Sequence, residues 1–189
     1  MNLQIEAAWE IHRFLTARNI PYAIIGELAV QYWGEPRFTK DVDVTVLVPA
    51  EDQEKVLCDL LSRFTPRISD ALKFALKNRI LLVCTASQCD IDISLGIPGY
   101  EEKVVAHVVD YELGNGRNIK FCSAEDLIIH KAVAGRPQDG SDIEGVILRQ
   151  GKKLDILYIR RWLKEFSSLL EVSEIKQRFE NPWKKFLRK

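Results

Sequence analysis

Cysteine, histidine and long apolar stretches are scarce in this chain, and each shortage removes a class of explanation. The four cysteines, Cys58, Cys84, Cys89 and Cys122, form no Cys-x-x-Cys pair, so neither a disulfide framework nor a structural zinc site is expected. His12, His107 and His130 stand far apart in sequence and are assigned no role. No apolar run approaches the roughly 20 residues of a membrane-spanning helix. Met1 to Glu6 carry no basic stretch followed by an apolar block, so a cytoplasmic protein without a membrane partner is expected. Net charge is absent as well, with 27 Lys and Arg against 27 Asp and Glu.

What is present is enough to fold. A chain of 189 residues with 47% hydrophobic content can bury a proper core, as one domain or one domain with a small helical appendage. The charge is unevenly spread: residues 149–189 hold twelve Lys and Arg against five Asp and Glu, leaving fifteen against twenty-two in residues 1–148. A basic C-terminal part of this kind suits a polyanion such as RNA, or else is a solvated helical face.

Hydrophobic periodicity orders the elements. Ala7, Ile11, Phe14 and Leu15 form one helical stripe within residues 3–18, and Asn19 with Pro21 ends it before the apolar run Tyr22 to Ile25. Gly26 breaks that strand, Leu28 to Trp33 reads as a short helix, and Gly34-Glu35-Pro36 closes it. Asp41 to Val48 alternates polar and apolar side chains with period two, which predicts a strand. Pro49 starts a helix with the stripe Val56, Leu57, Leu60, Leu61 and Phe64, and a second short helix covers Asp70 to Lys77. Strands follow at Ile80 to Cys84 and Cys89 to Leu95. Pro98 to Val109 begins helical and then loses a clear period, and Gly114-Asn115-Gly116 turns into a strand at Asn118 to Cys122. From Ser123 onward the pattern is helical. The expected organisation is a catalytic core at 1–122 and a helical C-terminal region at 123–189, in an α/β (α+β) class with a mixed sheet flanked by helices.

The chemistry begins with carboxylates. Asp41 and Asp43 are two apart on a strand, so their side chains share a face, with Cα atoms roughly 6 to 7 Å apart. Such a pair suits a hard divalent cation, Mg2+ or Mn2+. The segment Cys89-Asp90-Ile91-Asp92-Ile93 repeats the spacing, so either Asp90 or Asp92 could complete a metal site from a neighbouring strand. The alternative is a wet sheet face with no metal.

A lone Asp-x-Asp pair is a weak signal, and the preceding residues carry more. A strand ends in Gly26, a short helix follows, and Arg37 and Thr39 lead into the strand with Asp41 and Asp43. A glycine at a strand-to-helix turn lets backbone N–H groups face a phosphate chain. This order resembles the nucleotidyltransferase superfamily. Within it, Tyr22 to Gly26 and Arg37 to Asp43 look most like the AbiEii-like abortive-infection and toxin-type enzymes, and Asp126 to Asp139 is similar to their Lys-Ala-Arg-Asp segment. The resemblance spans roughly residues 20 to 145. It implies the nucleotidyltransferase fold and transfer of an NMP from an NTP, ATP among them, to an acceptor (tRNA or other RNA, a protein or a small molecule). A role as the toxin of a toxin–antitoxin pair, with a cognate antitoxin as partner, is implied as well. Asp41, Asp43 and Asp92 would be the metal ligands. Lys131 and Asp139 would be further active-site residues, and Gly26, Glu27, Arg37, Thr39 and Lys131 would line the nucleotide.

One residue departs from that pattern. The superfamily has a small residue after the glycine, and this chain has Glu27, whose charge would repel a triphosphate and whose bulk hinders close backbone approach. At a helix N-terminus the same carboxylate is stabilising. Glu27 therefore raises a second expectation, a non-catalytic nucleotide- or partner-binding protein of the same fold.

Ser123 followed by Asp126 resembles a capping box with Asp in the Glu position. It opens a helix in which Lys131 falls on a stripe with Leu127 and Ile128, where an ammonium needs an anion: a triphosphate, Asp139, or solvent reached by snorkelling. Farther on, Ile159, Trp162, Leu163, Phe166 and Leu170 read as core, and Arg160, Arg161, Lys164, Lys184, Lys185, Arg188 and Lys189 as a basic set without any base-reading motif. Finally, Asp41-Val42-Asp43-Val44-Thr45 also satisfies the Asp-x-Asp-x-Thr signature of haloacid-dehalogenase-type phosphatases, which use a nucleophilic Asp on a parallel α/β sheet.

Overall fold

The computed structural model describes residues 3–37 and 39–188; Lys189 of the basic set lies outside them. The described chain divides into two compact units, one of residues 3–28 and 39–122, the other of residues 29–37 and 123–188.

The first unit is built on a seven-stranded mixed sheet. In chain order it runs α1 (Leu3–Thr16), β1 (Tyr22–Ile25), the start of α2 (Gly26–Trp33), β2 (Asp41–Val46), α3 (Gln53–Arg63), β3 (Thr65–Pro66), α4 (Ala71–Asn78), β4 (Ile80–Cys84), β5 (Asp90–Leu95), α5 (Tyr100–Ala106), β6 (Val109–Gly114) and β7 (Arg117–Phe121). The strands lie in the order β3-β4-β5-β2-β1-β7-β6. β2 and β5 are parallel, as are β1 and β7. The pairs β1–β2, β3–β4, β4–β5 and β6–β7 are antiparallel.

The alternation of β2 and β5 decides which side is core. Val42, Val44, Ile91 and Ile93 are fully buried, while Asp41, Asp43, Asp90 and Asp92 on the other face are half-buried. α1 buries its stripe of Ala7, Ala8, Ile11, Phe14 and Leu15 and packs against β2 and β7. It ends where Asn19 takes φ 54°, a left-handed conformation that Asn tolerates better than most residues. α3 buries Leu57 and Leu60, and Phe64 beyond it meets Phe14 edge-on at 5.8 Å between ring centres.

Two edge strands depart from the periodicity reading. β3 is only two residues long, below what any pattern reveals. β6 occupies the stretch after α5 where the period was lost, with half-buried and exposed residues alternating, because an edge strand has little apolar face to advertise.

The second unit is helical, with α6 (Ala124–Ala134), α7 (Asp139–Gln150), α8 (Ile156–Leu169) and α9 (Glu174–Leu187) joined by the later part of α2 and the segment after it. Ser123 caps α6: its Oγ accepts from the Asp126 N–H at 3.0 Å and donates to Asp126 Oδ2 at 2.7 Å. Gly135 closes the same helix at φ 60°. An added Cβ there would lie inside the Arg178 guanidinium, 2.6 Å from Nη2, whose Nη1 donates to Ala132 O and Val133 O. Glycine is thus required twice over, for the turn and for the arginine that satisfies the helix-end carbonyls. Among the described residues no helix is long and apolar enough to cross a membrane.

Candidate active site

The carboxylate face follows from strand register. β2 and β5 run parallel with Asp41 opposite Asp90 and Asp43 opposite Asp92. Residues opposed in this way point to the same side of a sheet, so all four aspartates share one face.

Neighbouring groups fix two of them. Thr39, only 5% exposed, donates from Oγ1 to Asp41 Oδ1 at 2.9 Å, and its own carbonyl accepts from Gln4 Nε2 at 3.0 Å. Asp43 lies against the turn at Gly26, where φ is +65° and an added Cβ would come within 2.6 Å of Asp43 Cγ. Gly26 opens α2, and Glu27 sits in its first turn, half-buried.

A cation that the sequence reading did not single out also lies on this face. Arg67 Nη1 donates to Asp90 Oδ2 at 2.7 Å, and Nη2 donates to Asp92 Oδ1. Nothing in the motif spacing marks it, since it comes from the irregular stretch after β3. Even with that arginine, the Asp92 carboxyl is pushed above its ordinary pKa: burial raises it, Arg67 opposes, and Asp41 and Asp90 raise it further. Cys89 beside them is also pushed up, by burial and then by Asp90 and Asp41. The face carries more negative charge than Arg67 neutralises.

The donor set therefore fits a hard divalent ion in kind. In arrangement, Asp92 is engaged by Arg67, and among the described residues no group of three or more His, Cys, Asp or Glu side chains is placed to hold a metal ion.

The remaining residues singled out from the sequence lie in the second unit, around a different centre. Lys131 is 6% exposed, with Nζ 3.2 Å from Asp139 Oδ1 and 2.8 Å from Asp142 Oδ2. Asp142 also accepts a bidentate pair from Arg37, Nε to Oδ1 and Nη2 to Oδ2, both at 3.1 Å. Asp139 Oδ2 accepts from the Arg136 N–H at 2.7 Å. Two cations and two carboxylates thus balance inside the unit, with both acids in the first turn of α7, where the helix dipole favours them. Asp142 was not singled out by motif, although its place three residues after Asp139 on a helix is a readable signal.

Part of the basic set is committed locally. Arg160 pairs with Glu180 and Lys185 with Glu144. The phosphatase signature asks for a parallel sheet, whereas here β2 runs parallel to β5 but antiparallel to β1 in a mixed sheet.

No protein-family model matches the chain, and no curated protein matches it in sequence. Solved structures do match in fold. An antigenic nucleotidyltransferase-like protein from Paracoccidioides brasiliensis aligns with a TM-score of 0.51 at 17% identity, over 93% of this chain and 92% of that one. The lincosamide antibiotic adenylyltransferase LnuA, bound to lincomycin, aligns with a TM-score of 0.50 at 12% identity, over 77% of this chain and 98% of its own. With its mixed seven-stranded sheet, the chain has the nucleotidyltransferase fold.

Proposed function

We propose that this chain is a metal-dependent nucleotidyltransferase that moves an NMP from an NTP to an acceptor. The observation that carries the reading is the register of β2 and β5, which gathers Asp41, Asp43, Asp90 and Asp92 on one face beside the Gly26 turn and the start of α2. In the reaction an acceptor hydroxyl oxygen bonds to the α-phosphorus, the bond from that phosphorus to the bridging oxygen breaks, and pyrophosphate leaves. Asp41, Asp43 and Asp92 would hold Mg2+ or Mn2+, which when bound supplies positive charge to the triphosphate and the departing pyrophosphate.

The protein's own groups do the rest. Thr39 orients Asp41 through its hydroxyl. The backbone at Gly26 and the first turn of α2 offer N–H groups to phosphate oxygens. The mutual pairing of Lys131, Asp139, Asp142 and Arg37 supports a scaffolding role for that cluster rather than direct contact with the nucleotide.

The motif resemblance supports an AbiEii-like subtype, and with it a toxin working against a cognate antitoxin. LnuA, named for adenylyl transfer to a lincosamide antibiotic, supports a small hydroxylated molecule as acceptor, and the basic C-terminal region supports RNA. Incubation with α-labelled NTPs and Mg2+ or Mn2+ against total RNA, total protein and a panel of hydroxylated antibiotics tests all three. Label transfer with pyrophosphate release, lost in Asp43→Ala, is the expected result; no transfer to any acceptor by the unaltered protein overturns the reading. A non-catalytic binding protein is the second reading, favoured by Glu27 in the first turn of α2. It requires NTP binding without pyrophosphate release.

A further inference from the structure

The carboxylate face carries a cation of its own, and its manner of attachment bears on what else binds there. Arg67 follows the edge strand β3, and its backbone N–H donates to Leu82 O at 3.1 Å. Leu82 is paired with Asp92 across β4 and β5, so the arginine side chain starts beside β4 and reaches over it to β5. There its two terminal nitrogens take one oxygen each from Asp90 and Asp92.

Two features make this a contact that can be given up. The side chain is a quarter exposed, and its Nε is buried without a hydrogen-bond partner among the described residues, so the guanidinium is incompletely seated. Its backbone also belongs to four irregular residues, 67–70, between β3 and α4, ending at Asp70 with φ 53°.

We propose that Arg67 is a built-in counter-cation that occupies Asp92 whenever no divalent ion does, so that an ion reaching Asp92 must displace the guanidinium. This rests on the reading of Asp41, Asp43 and Asp92 as metal ligands. An oxygen that accepts from Arg67 has less electron density for a metal ion, and a guanidinium beside a divalent cation repels it. The triphosphate of an incoming nucleotide gives the displaced guanidinium a new anionic partner. Arg67 thereby blocks Asp92 in the protein alone, and a divalent ion that binds there releases it.

The test is a Mn2+ titration followed by electron paramagnetic resonance on the full chain, Arg67→Met and Arg67→Lys. Affinity for Mn2+ without nucleotide rises by at least about tenfold in Arg67→Met. Arg67→Lys, which keeps the charge but cannot bridge two carboxylates with a planar fork, lies between. In the unaltered protein the Arg67 Nε–Hε resonance, assigned by its loss in Arg67→Lys, moves on adding Mg2+ and not on adding Na+ to the same ionic strength. Mn2+ affinity in Arg67→Met equal to or weaker than that of the unaltered chain overturns the counter-cation and leaves the metal reading standing. Absence of Mn2+ binding in all three proteins overturns both. If Arg67→Met does not fold, equal affinities in Arg67→Lys and the unaltered chain, together with an unmoved Nε–Hε resonance, overturn the proposal.

Discussion

Asp43 occupies the space that a side chain at Gly26 would need: an added Cβ would sit 2.6 Å from its Cγ and 2.8 Å from its Cβ. The glycine and the aspartate are therefore one unit, and the position of the carboxylate depends on the missing methyl. Gly26→Ala carries the strain of positive φ, about 1 to 2 kcal/mol for an L residue, and must also move Asp43. Urea denaturation should show that loss or more, and transfer activity should fall further than the remaining folded fraction explains. Full activity in a stably folded Gly26→Ala protein would show that Asp43 tolerates displacement.

Asp43→Ala tests the same carboxylate from the other side. Removing one of several like charges relieves repulsion, so stability is expected to hold or rise while transfer disappears. Thermal unfolding and labelled-NTP transfer measured on one preparation separate the two effects. Retained transfer at low Mg2+ would exclude Asp43 from the chemistry.

The charge cluster around Lys131 gives the opposite expectation. Lys131→Met leaves Asp139 and Asp142 buried with only part of their cationic partners, and breaking a buried pair typically costs about 3 to 5 kcal/mol. Combining it with Asp139→Asn should recover part of the loss, since fewer uncompensated charges remain. A Lys131→Met protein as stable as the parent, with weakened NTP binding, would place the ammonium on the nucleotide instead.

His12 predicts an acid-side weakness. Its Nδ1 lies 2.6 Å from the Tyr22 hydroxyl, which accepts from the Lys120 N–H, and the ring stacks on Trp9. Burial lowers the His12 pKa below 6.5, Lys120 lowers it further and Asp110 opposes. Between that lowered value and 6.5 the unfolded chain binds a proton that the folded chain refuses. Stability is therefore complete above pH 6.5 and declines on acidification through that window. Urea midpoints at intervals from pH 8 to pH 5, compared with His12→Gln, should show the difference; identical pH slopes in the two proteins would remove His12 from the linkage.

Glu27 separates charge from bulk. With a carboxylate in the first turn of α2, NTP affinity should increase from Glu27 to Glu27→Gln to Glu27→Gly, and the first step should be larger at low salt. Equal affinity in all three proteins would mean that the side chain faces away from the nucleotide.

The strands that carry the aspartates were legible in the sequence because one face of each is apolar, and Val42, Val44, Ile91 and Ile93 impose period two on both. The same holds for α1, whose stripe is buried as spaced. Arg67 was not legible: its partners are 23 and 25 residues away, and it lies on irregular chain with no period to place it. The parallel register of β2 and β5 was hidden too, since spacing alone does not say which strands are neighbours. For Lys131, helical spacing gave an inward-facing ammonium, and only the tertiary structure supplied Asp142 as its shorter contact.

Residues 29–37 belong with the helices of the second unit, held by Arg149 on Gly34 O, Gln150 on Trp33 O and the Arg37–Asp142 pair. That unit is consequently woven from two stretches of chain more than eighty residues apart. It cannot be lifted out as a cassette by cutting before Ser123. A truncation there would strip the 29–37 ribbon of its anchors, and a graft of residues 123–189 onto another protein would arrive with Asp142 and Arg149 facing no ribbon at all. Moving this C-terminal unit elsewhere would have to carry residues 29–37 together with the helices they pair with.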